Sequence, residues 1–468
     1  MSLVFAAITP HPPIIIDEIG GDNLKPVLKT VRAMDNLADR LVQIAPDVII
    51  FITPHGAVFQ DALSVTVESR LRGSFSGLGY PELEFMRESD VNLANKIIDD
   101  ARAAGIAVLA VDAPTAKLYR IKLDMDHGIL VPLAFLDKAG SKAPIVSVSI
   151  GMLPFEELFL FGVSLGKTIH QWEGKVALIV SGDLSHKLQP GAPAGYHEDG
   201  QQFDRLVVDA VANGDAKAIY DLRGIQAENA GECGLRPLVI AMGAFDGRDF
   251  TGDVLSYEGP FGVGYLVAEF ILSDANKRPP LGPTILEMEK QQMQSVRSQE
   301  SDYVKLARET LENYVLNGKN TSPPVDLTSG MRQAAGVFVS IKKDGELRGC
   351  IGTIEPVYKN VAEEIIANAI SAGTRDPRFE PVMTTELDRL VYSVDILKPA
   401  ERITGLEDLD PRRYGVIVEK MGRRGLLLPN LDGINSSDEQ VQIAKSKAGI
   451  DQGEADVKLW RFEVVRYR

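Results

Sequence analysis

The chain has 468 residues, too many for one ordinary core at roughly 100–200 residues per domain, so two domains are expected. Its 45% hydrophobic and 25% charged residues exclude a disordered chain, and a formal charge of −15 sets the field against phosphate backbones and anionic lipid surfaces. Cys233 and Cys350 are its two cysteines, too few for a disulfide framework or a zinc ribbon.

The start carries no basic signal-peptide segment, and no stretch approaches the roughly 18 apolar residues of a membrane span. A cytoplasmic protein with neither nucleic acid nor membrane as partner is therefore expected.

Leu3 to Thr9 reads as a strand. After a turn at Gly20-Gly21, the apolar positions Leu24, Leu28, Val31, Met34, Ala38 and Leu41 follow helical spacing. Further apolar runs, rich in β-branched residues, predict strands at Val48–Thr53, Ala107–Val111, Ile145–Ile150, Val176–Ser181 and Gly264–Ile271. Strands alternating with amphipathic helices predict an α/β first domain, a mostly parallel sheet with flanking helices, over residues 1–272. Gly259 to Gly264 is read as a turn before the last strand, since no nucleotide-binding helix follows it.

Residues 273–300, with Lys277-Arg278-Pro279-Pro280 and a Gln- and Glu-rich tract, have linker composition that leaves room for a connecting helix. Ser301-Asp302 is suited to cap a helix whose apolar face includes Tyr303, Leu306, Leu311 and Val315. Two hairpins follow, Val337–Ile341 with Leu347–Ile351 about Asp344-Gly345, and Tyr414–Val418 with Gly425–Leu428 about Gly422-Arg423-Arg424. Residues 301–468 thus read as a smaller α+β domain.

All six histidines lie at or before His197. Two end near-repeats of one pattern, Ile8-Thr9-Pro10-His11 and Ile52-Thr53-Pro54-His55. In parallel sheets ligands gather beyond the carboxyl ends of the strands, which is where both imidazoles are expected. Proline before each histidine fixes how the chain leaves the strand. His186 stands beyond another strand end, in Ser181-Gly182-Asp183-Leu184-Ser185-His186, and His127 lies in Asp126-His127-Gly128. Together the four make a cluster able to bind a metal and move protons. Read one at a time, each is equally an ordinary turn or loop histidine; His170 and His197 are read as surface residues.

A third, anionic ligand would complete a facial triad of two histidines and a carboxylate, which leaves open positions on ferrous iron. Glu232, in a Gly-rich turn, is the leading candidate, with Glu228 and Glu258 as weaker choices. Cys233 is the alternative, because a thiolate there would favour a different metal or chemistry. In the second domain, Arg348-Gly349-Cys350 reads either as a cation and a soft nucleophile beside a backbone that a ligand can approach, or as a strand bend with a buried cysteine.

On these residues, positions 1 to about 272 resemble the class III extradiol dioxygenases, the superfamily of protocatechuate 4,5-dioxygenase catalytic subunits. The resemblance rests on His11, the Thr-Pro-His-Gly segment at His55, Asp126-His127-Gly128, the run from Ser181 to His186, and Gly231-Glu232. It implies Fe(II) held by His11, His55 and Glu232, with His186 as acid/base and His127 assisting at the substrate. It further implies ring cleavage of a catecholic diol by dioxygen, and a homo-oligomer. Glu232-Cys233-Gly234 followed by Pro237 is also similar to Memo proteins, relatives with a cysteine among their metal ligands, in which oxidation of something other than a catechol or a metal-stabilised interaction module is implied.

From about residue 301 the chain resembles the AMMECR domain family, through Leu347-Arg348-Gly349-Cys350-Ile351-Gly352-Thr353, Arg375-Asp376-Pro377-Arg378-Phe379 and Gly425-Leu426-Leu427-Leu428-Pro429. Arg348 and Cys350 are the candidate site residues there. That resemblance implies a pathway shared with radical SAM proteins and names no reaction.

Overall fold

A computed structural model describes every residue except Met1, Asp344, Asp432 and Ala455, and describes the backbone alone at 274–277 and 346. The chain divides into two compact units, Met1–Glu287 and Met288–Arg468.

The first unit is built on strands β1 (Leu3–Thr9), β2 (Val48–Thr53), β3 (Leu63–Thr66), β6 (Val108–Val111), β7 (Ile145–Ser149), β8 (Val176–Ser181), β9 (Arg248–Glu258) and β10 (Tyr265–Lys277), with a separate hairpin of β4 (Arg70–Phe75) and β5 (Tyr80–Glu88). The sheet order is β6-β3-β7-β2-β8-β1-β10-β9. Its central strands β7, β2, β8 and β1 are mutually parallel, while β10 runs antiparallel to β1 and β9 to β10. The fold is α/β with a largely parallel centre, as the alternating pattern predicts.

β2 and β8 are buried at every residue, which explains why they read as unbroken apolar runs. Alternate side chains serve opposite cores. Val48, Ile50 and Ile52 join Leu178 and Val180 beneath the helices Val91–Ala103, Phe155–Gln171, Asp199–Ala212 and Leu235–Ala244, whereas Ile49, Phe51 and Ile179 face the helices Leu28–Ile44 and His127–Lys138. With both faces covered, the strand ends are the place left for a site.

The helix predicted from Leu24 begins at Leu28, because Pro26 lies in a preceding 3-10 segment, Gly21–Val27. β10 outruns its expected end at Ile271, since β9 pairs along it as far as Lys277, with register shifts after Val267 and after Ser273. Within the segment expected as a connection, Gly282–Ser298 is helical, and Ile285 is fully buried in the first unit's core.

In the second unit, β11 (Val337–Lys343), β12 (Glu346–Gly352), β13 (Leu390–Leu397) and β18 (Val464–Tyr467) form one sheet, and β14 (Glu401–Ile403), β15 (Gly415–Lys420), β16 (Arg423–Leu427) and β17 (Lys458–Phe462) another. The Ser301 hydroxyl accepts the Val304 N–H and caps the helix Asp302–Asn317 as expected. Both expected hairpins form. Asp344 of the first turn lies outside the described residues. The second turn is Met421-Gly422, both at positive φ (50° and 79°), the two-residue geometry that matches strand twist; Arg423 and Arg424 belong to β16.

Candidate metal centre

Three adjacent parallel strands deliver the site. In the order β2-β8-β1 they end at Thr53, Ser181 and Thr9, with Thr9 paired to Ser181 in register. The segments leaving those ends carry His55, Asp183 to His186, and His11. His11 is buried, and its backbone N–H donates to Asp183 Oδ1 at 2.9 Å. Its Nδ1 lies 2.9 Å from Ser181 Oγ. Its Nε2 faces His55 Nε2 at 3.1 Å.

His127 opens the helix His127–Lys138. Asp126 caps that helix by accepting the Gly128 N–H at 2.8 Å and the Thr53 hydroxyl at 2.6 Å, which ties the helix start to the end of β2. The His127 ring stacks on His55, with centroids 4.5 Å apart and planes 18° off parallel, and stands edge-on to His11 at 5.0 Å. Residues Ile8 to His11 and Ile52 to His55 therefore bring their imidazoles together, and His127 and His186 join them.

The turn Glu232-Cys233-Gly234 supplies the remaining group. Cys233 Sγ lies 3.5 Å from His11 Nε2 and 3.8 Å from His186 Nε2, and it accepts the Asp183 N–H at 3.3 Å. The close approach depends on glycine at position 182, since a Cβ there would stand 2.3 Å from Gly234 Cα. His11, His55 and Cys233 offer ligand atoms within 4.8 Å of one another.

Glu232 points elsewhere. Its Oε2 accepts the Leu235 N–H at 2.6 Å at the start of the helix Leu235–Ala244, where a carboxylate suits first-turn donors. Burial pushes this carboxyl up to about 7, against the pull of that N–H and of Arg236. Arg236 in turn donates to Leu153 O at 2.6 Å and lies over the Phe155 ring. Of the weaker choices, Glu258 accepts the Thr30 N–H and hydroxyl at 2.8 and 2.7 Å on the helix Leu28–Ile44, and Glu228 is exposed. His170 is exposed and His197 half-buried.

The electrostatics suit a cation. Burial first, then the neighbouring His127 and His186, holds His11 well below the ordinary histidine range; His55, though exposed at the mouth, is lowered by desolvation of its crowded ring and by His11. Burial also lowers His186, with Asp183 opposing. These rings are neutral near pH 7 and present lone pairs. Two nitrogens about 2.1 Å from one ion have a separation close to the observed 3.1 Å, so the donors fit a single metal ion.

Four residues without a role in the sequence reading support the cluster. Ser181 and Asp183 hold His11 by its Nδ1 and backbone N–H. Asp204 accepts the Ser185 N–H at 2.8 Å and the Tyr257 hydroxyl at 2.7 Å, steadying the loop to His186. Ser181 and Asp183 were visible as part of a strand-end motif, whereas nothing in the local sequence marks Asp204 or Tyr257.

Residues 5–268 match the family described as the catalytic LigB subunit of aromatic ring-opening dioxygenase, and residues 304–467 match AMMECR1. Protein CA_C1420 of Clostridium acetobutylicum is 39% identical over 472 residues, covering 100% of both chains. A Thermotoga maritima protein is 50% identical over 171 residues, 36% of this chain and 98% of its own. The crystal structure of uncharacterized protein PH0010 from Pyrococcus horikoshii is 34% identical and covers 36% of this chain and 90% of its own, with a TM-score of 0.34.

Proposed function

The chain belongs to the family of catalytic LigB subunits of aromatic ring-opening dioxygenases, joined to an AMMECR1 domain, and on that footing we propose that its N-terminal unit is a dioxygen-using oxidoreductase whose ferrous ion is held by His11, His55 and Cys233. The observation that carries this reading is the Cys233 thiol, 3.5 Å from His11 Nε2, while the Glu232 carboxylate caps a helix. Two imidazoles and a thiolate form a softer set than two imidazoles and a carboxylate, and iron and copper both accept it.

A bound metal would supply the redox chemistry and the open positions for substrate and dioxygen. The residues supply the rest. Ser181 Oγ accepts a hydrogen bond from His11 Nδ1–H, the tautomer that leaves the Nε2 lone pair free for a metal. His186, neutral and next to Cys233, takes a proton from a substrate hydroxyl. His127, stacked on His55, lines the same mouth and positions the substrate. A catecholic diol, with two adjacent hydroxyls to orient and deprotonate, is the substrate class that uses all of these groups.

A second reading is favoured by the same thiol. With Cys233 as a ligand, the unit resembles the Memo type, and the oxidised molecule need not be a catechol. One experiment separates the readings. The protein and its Cys233→Ala and Glu232→Gln variants are loaded anaerobically with Fe(II), Cu(I) or Zn(II), desalted and assayed for metal, then for dioxygen uptake across a panel of catechols. Loss of metal in Cys233→Ala with retention in Glu232→Gln supports the thiolate set, and the reverse result restores the carboxylate set. Retained iron without uptake on any catechol moves the function to the second reading. In His186→Ala, iron should stay while uptake falls about 10²–10⁴-fold.

A further inference from the structure

In the second unit Arg348 and Cys350 are engaged by their neighbours. Glu386 accepts Arg348 Nε and Nη2 at 2.9 and 3.0 Å, the Ser340 hydroxyl donates to Cys350 Sγ at 3.1 Å, and Asp376 accepts the Cys350 N–H at 2.9 Å. The first unit holds an element that supplies no group to the metal centre, the hairpin of β4 and β5, which forms a sheet of its own. Two strands alone are marginally stable in water, so the hairpin depends on what it packs against.

It packs against the helix that carries His127. Leu71 and Phe75 of β4 are buried in one core with Ile129, Leu130 and Leu133 of the helix His127–Lys138. At the far end of that helix, Arg87 of β5 pairs with Asp137 and donates to Ser141 O at 3.1 Å. At the near end Met125, itself buried, donates its N–H to Arg72 O of β4 at 2.6 Å. The hairpin therefore grips both ends of the helix.

Gly73 makes the near grip tight. A Cβ there would stand 2.8 Å from Met125 O, 2.9 Å from Leu130 Cδ2 and 3.0 Å from Met125 Cβ. Gly73 has no left-handed φ, so the approach of the Met125 backbone, and not the conformation of the strand, is what requires glycine. Met125 runs directly into Asp126-His127. Asp126 is tied to Thr53, and the His127 ring stacks on His55 with centroids 4.5 Å apart. The donor atoms of His11, His55 and Cys233 come from other segments, those leaving the ends of β1 and β2 and the turn before the helix Leu235–Ala244. A shift of Met125 thus moves His127 against ligands that the hairpin does not carry.

We propose that the hairpin of β4 and β5 is a positioning element for the reaction, with Gly73 as its contact residue: by fixing the Met125 backbone it sets how His127 stands over His55, and so the shape of the mouth that holds the substrate. This rests on the reading in which His127 positions the substrate, and deepens it by assigning the part that fixes His127. With alanine at position 73, the Met125 carbonyl would have to retreat by about 0.6 Å to pass from 2.8 Å to an ordinary contact of 3.4 Å. Misplacement by 1 Å can cost about 10²-fold in an enzyme, so a shift of this size is large enough to measure.

The test uses the whole chain loaded with Zn(II), and diethyl pyrocarbonate as a probe that acylates free imidazoles, with labelling at His127 and at the exposed His170 read by peptide mass spectrometry. In Gly73→Ala the ratio of the His127 rate to the His170 rate should shift several-fold, while Zn(II) affinity in a chelator titration stays at the wild-type value. Ile285→Val, which loosens the other core of the same unit, should leave the ratio unchanged. With any catechol that supports dioxygen uptake by the Fe(II)-loaded protein, Gly73→Ala should raise KM about tenfold and change kcat less. Should Gly73→Ala fold poorly, Gly73→Ala with Leu130→Val removes the contact at Leu130 Cδ2 and carries the same measurement, with Leu130→Val alone as its reference. A wild-type labelling ratio in the Gly73 variant overturns the proposal, as does an equal shift in Ile285→Val, which would mean general loosening. A loss of Zn(II) affinity that accompanies the shift also overturns it, because the hairpin would then hold the whole centre. If no catechol supports uptake, the catechol reading fails, while the labelling ratio still decides whether the hairpin fixes His127.

Discussion

Ser181 Oγ lies 2.9 Å from His11 Nδ1, and both atoms are buried at the junction of β8 and β1. A histidine that gives one nitrogen to a ligand is oriented through the other, and loss of such a partner typically costs about 10–100-fold in metal affinity. Ser181→Ala should therefore lower affinity for Fe(II) or Zn(II) by that factor. A competitive chelator titration measures it, and an affinity equal to wild type would show that the serine does not orient the ring.

Gly182 and Gly234 form the second constraint. A side chain on Gly182 would press its Cβ to 2.3 Å from Gly234 Cα, backbone against backbone, so the turn that carries Cys233 must retreat. Gly182→Ala should destabilise the fold by about 1–3 kcal/mol, the usual cost of overpacking, and should weaken metal binding beyond what Ser181→Ala does. Denaturant unfolding and the same chelator titration check both parts. Full metal affinity in a destabilised variant would show that Cys233 does not need this approach.

These two contacts also mark where the sequence was legible. β1, β2 and β8 were read with their observed bounds because every residue of β2 and β8, and nearly every residue of β1, is buried. β9 and the hairpin of β4 and β5 escaped because their residues are polar and mostly half-buried or exposed, so no apolar run announced them. His11 and His55 are visible as strand-end residues of one repeated pattern, and His186 as a residue beyond another strand end. The choice between Glu232 and Cys233 is not, because they are neighbours in a glycine-flanked turn where no periodicity fixes side-chain direction. One signal was present: Glu232 stands three residues ahead of Leu235 at a helix start, where a carboxylate finds first-turn N–H groups.

Asp204 gives the pH dependence. Burial raises its carboxyl to about 6, with the charge of Asp183 adding to the effect and the Ser185 N–H and Tyr257 hydroxyl opposing. The unfolded chain releases this proton near pH 4, while the folded chain keeps it until about pH 6. The folded state thus binds more protons between those values, and the stabilisation present below pH 4 fades as pH rises through 6. Asp204→Asn cannot ionise, so its stability should gain on wild type by up to about 1.4 kcal/mol per pH unit across that window. Unfolding curves for both proteins at pH 4, 5, 6 and 7 provide the comparison, and parallel curves would mean that Asp204 is already ionised at pH 4.

The last prediction concerns where the first unit ends. The segment after β10 was expected to be an exposed connection, yet Leu281 and Gly282 donate their N–H groups to Asp246 at 2.6 and 3.1 Å, and Ile285 is fully buried against the first core. A fragment of residues 1–275 loses all three. Burial of one isoleucine is worth about 1.5–3 kcal/mol, and at roughly 2–4 °C per kcal/mol for a unit of this size the shorter fragment should melt about 3–12 °C below a fragment of residues 1–287. Every histidine lies before residue 198, so both fragments retain the complete donor set, and residues 1–287 should bind one metal ion with the affinity of the whole chain. Calorimetry of the two fragments, each with and without Zn(II), tests both statements. Equal melting temperatures would show that the start of the helix Gly282–Ser298 adds nothing to the first unit, and a fragment 1–287 that folds without binding metal would show that residues beyond Glu287 complete the centre.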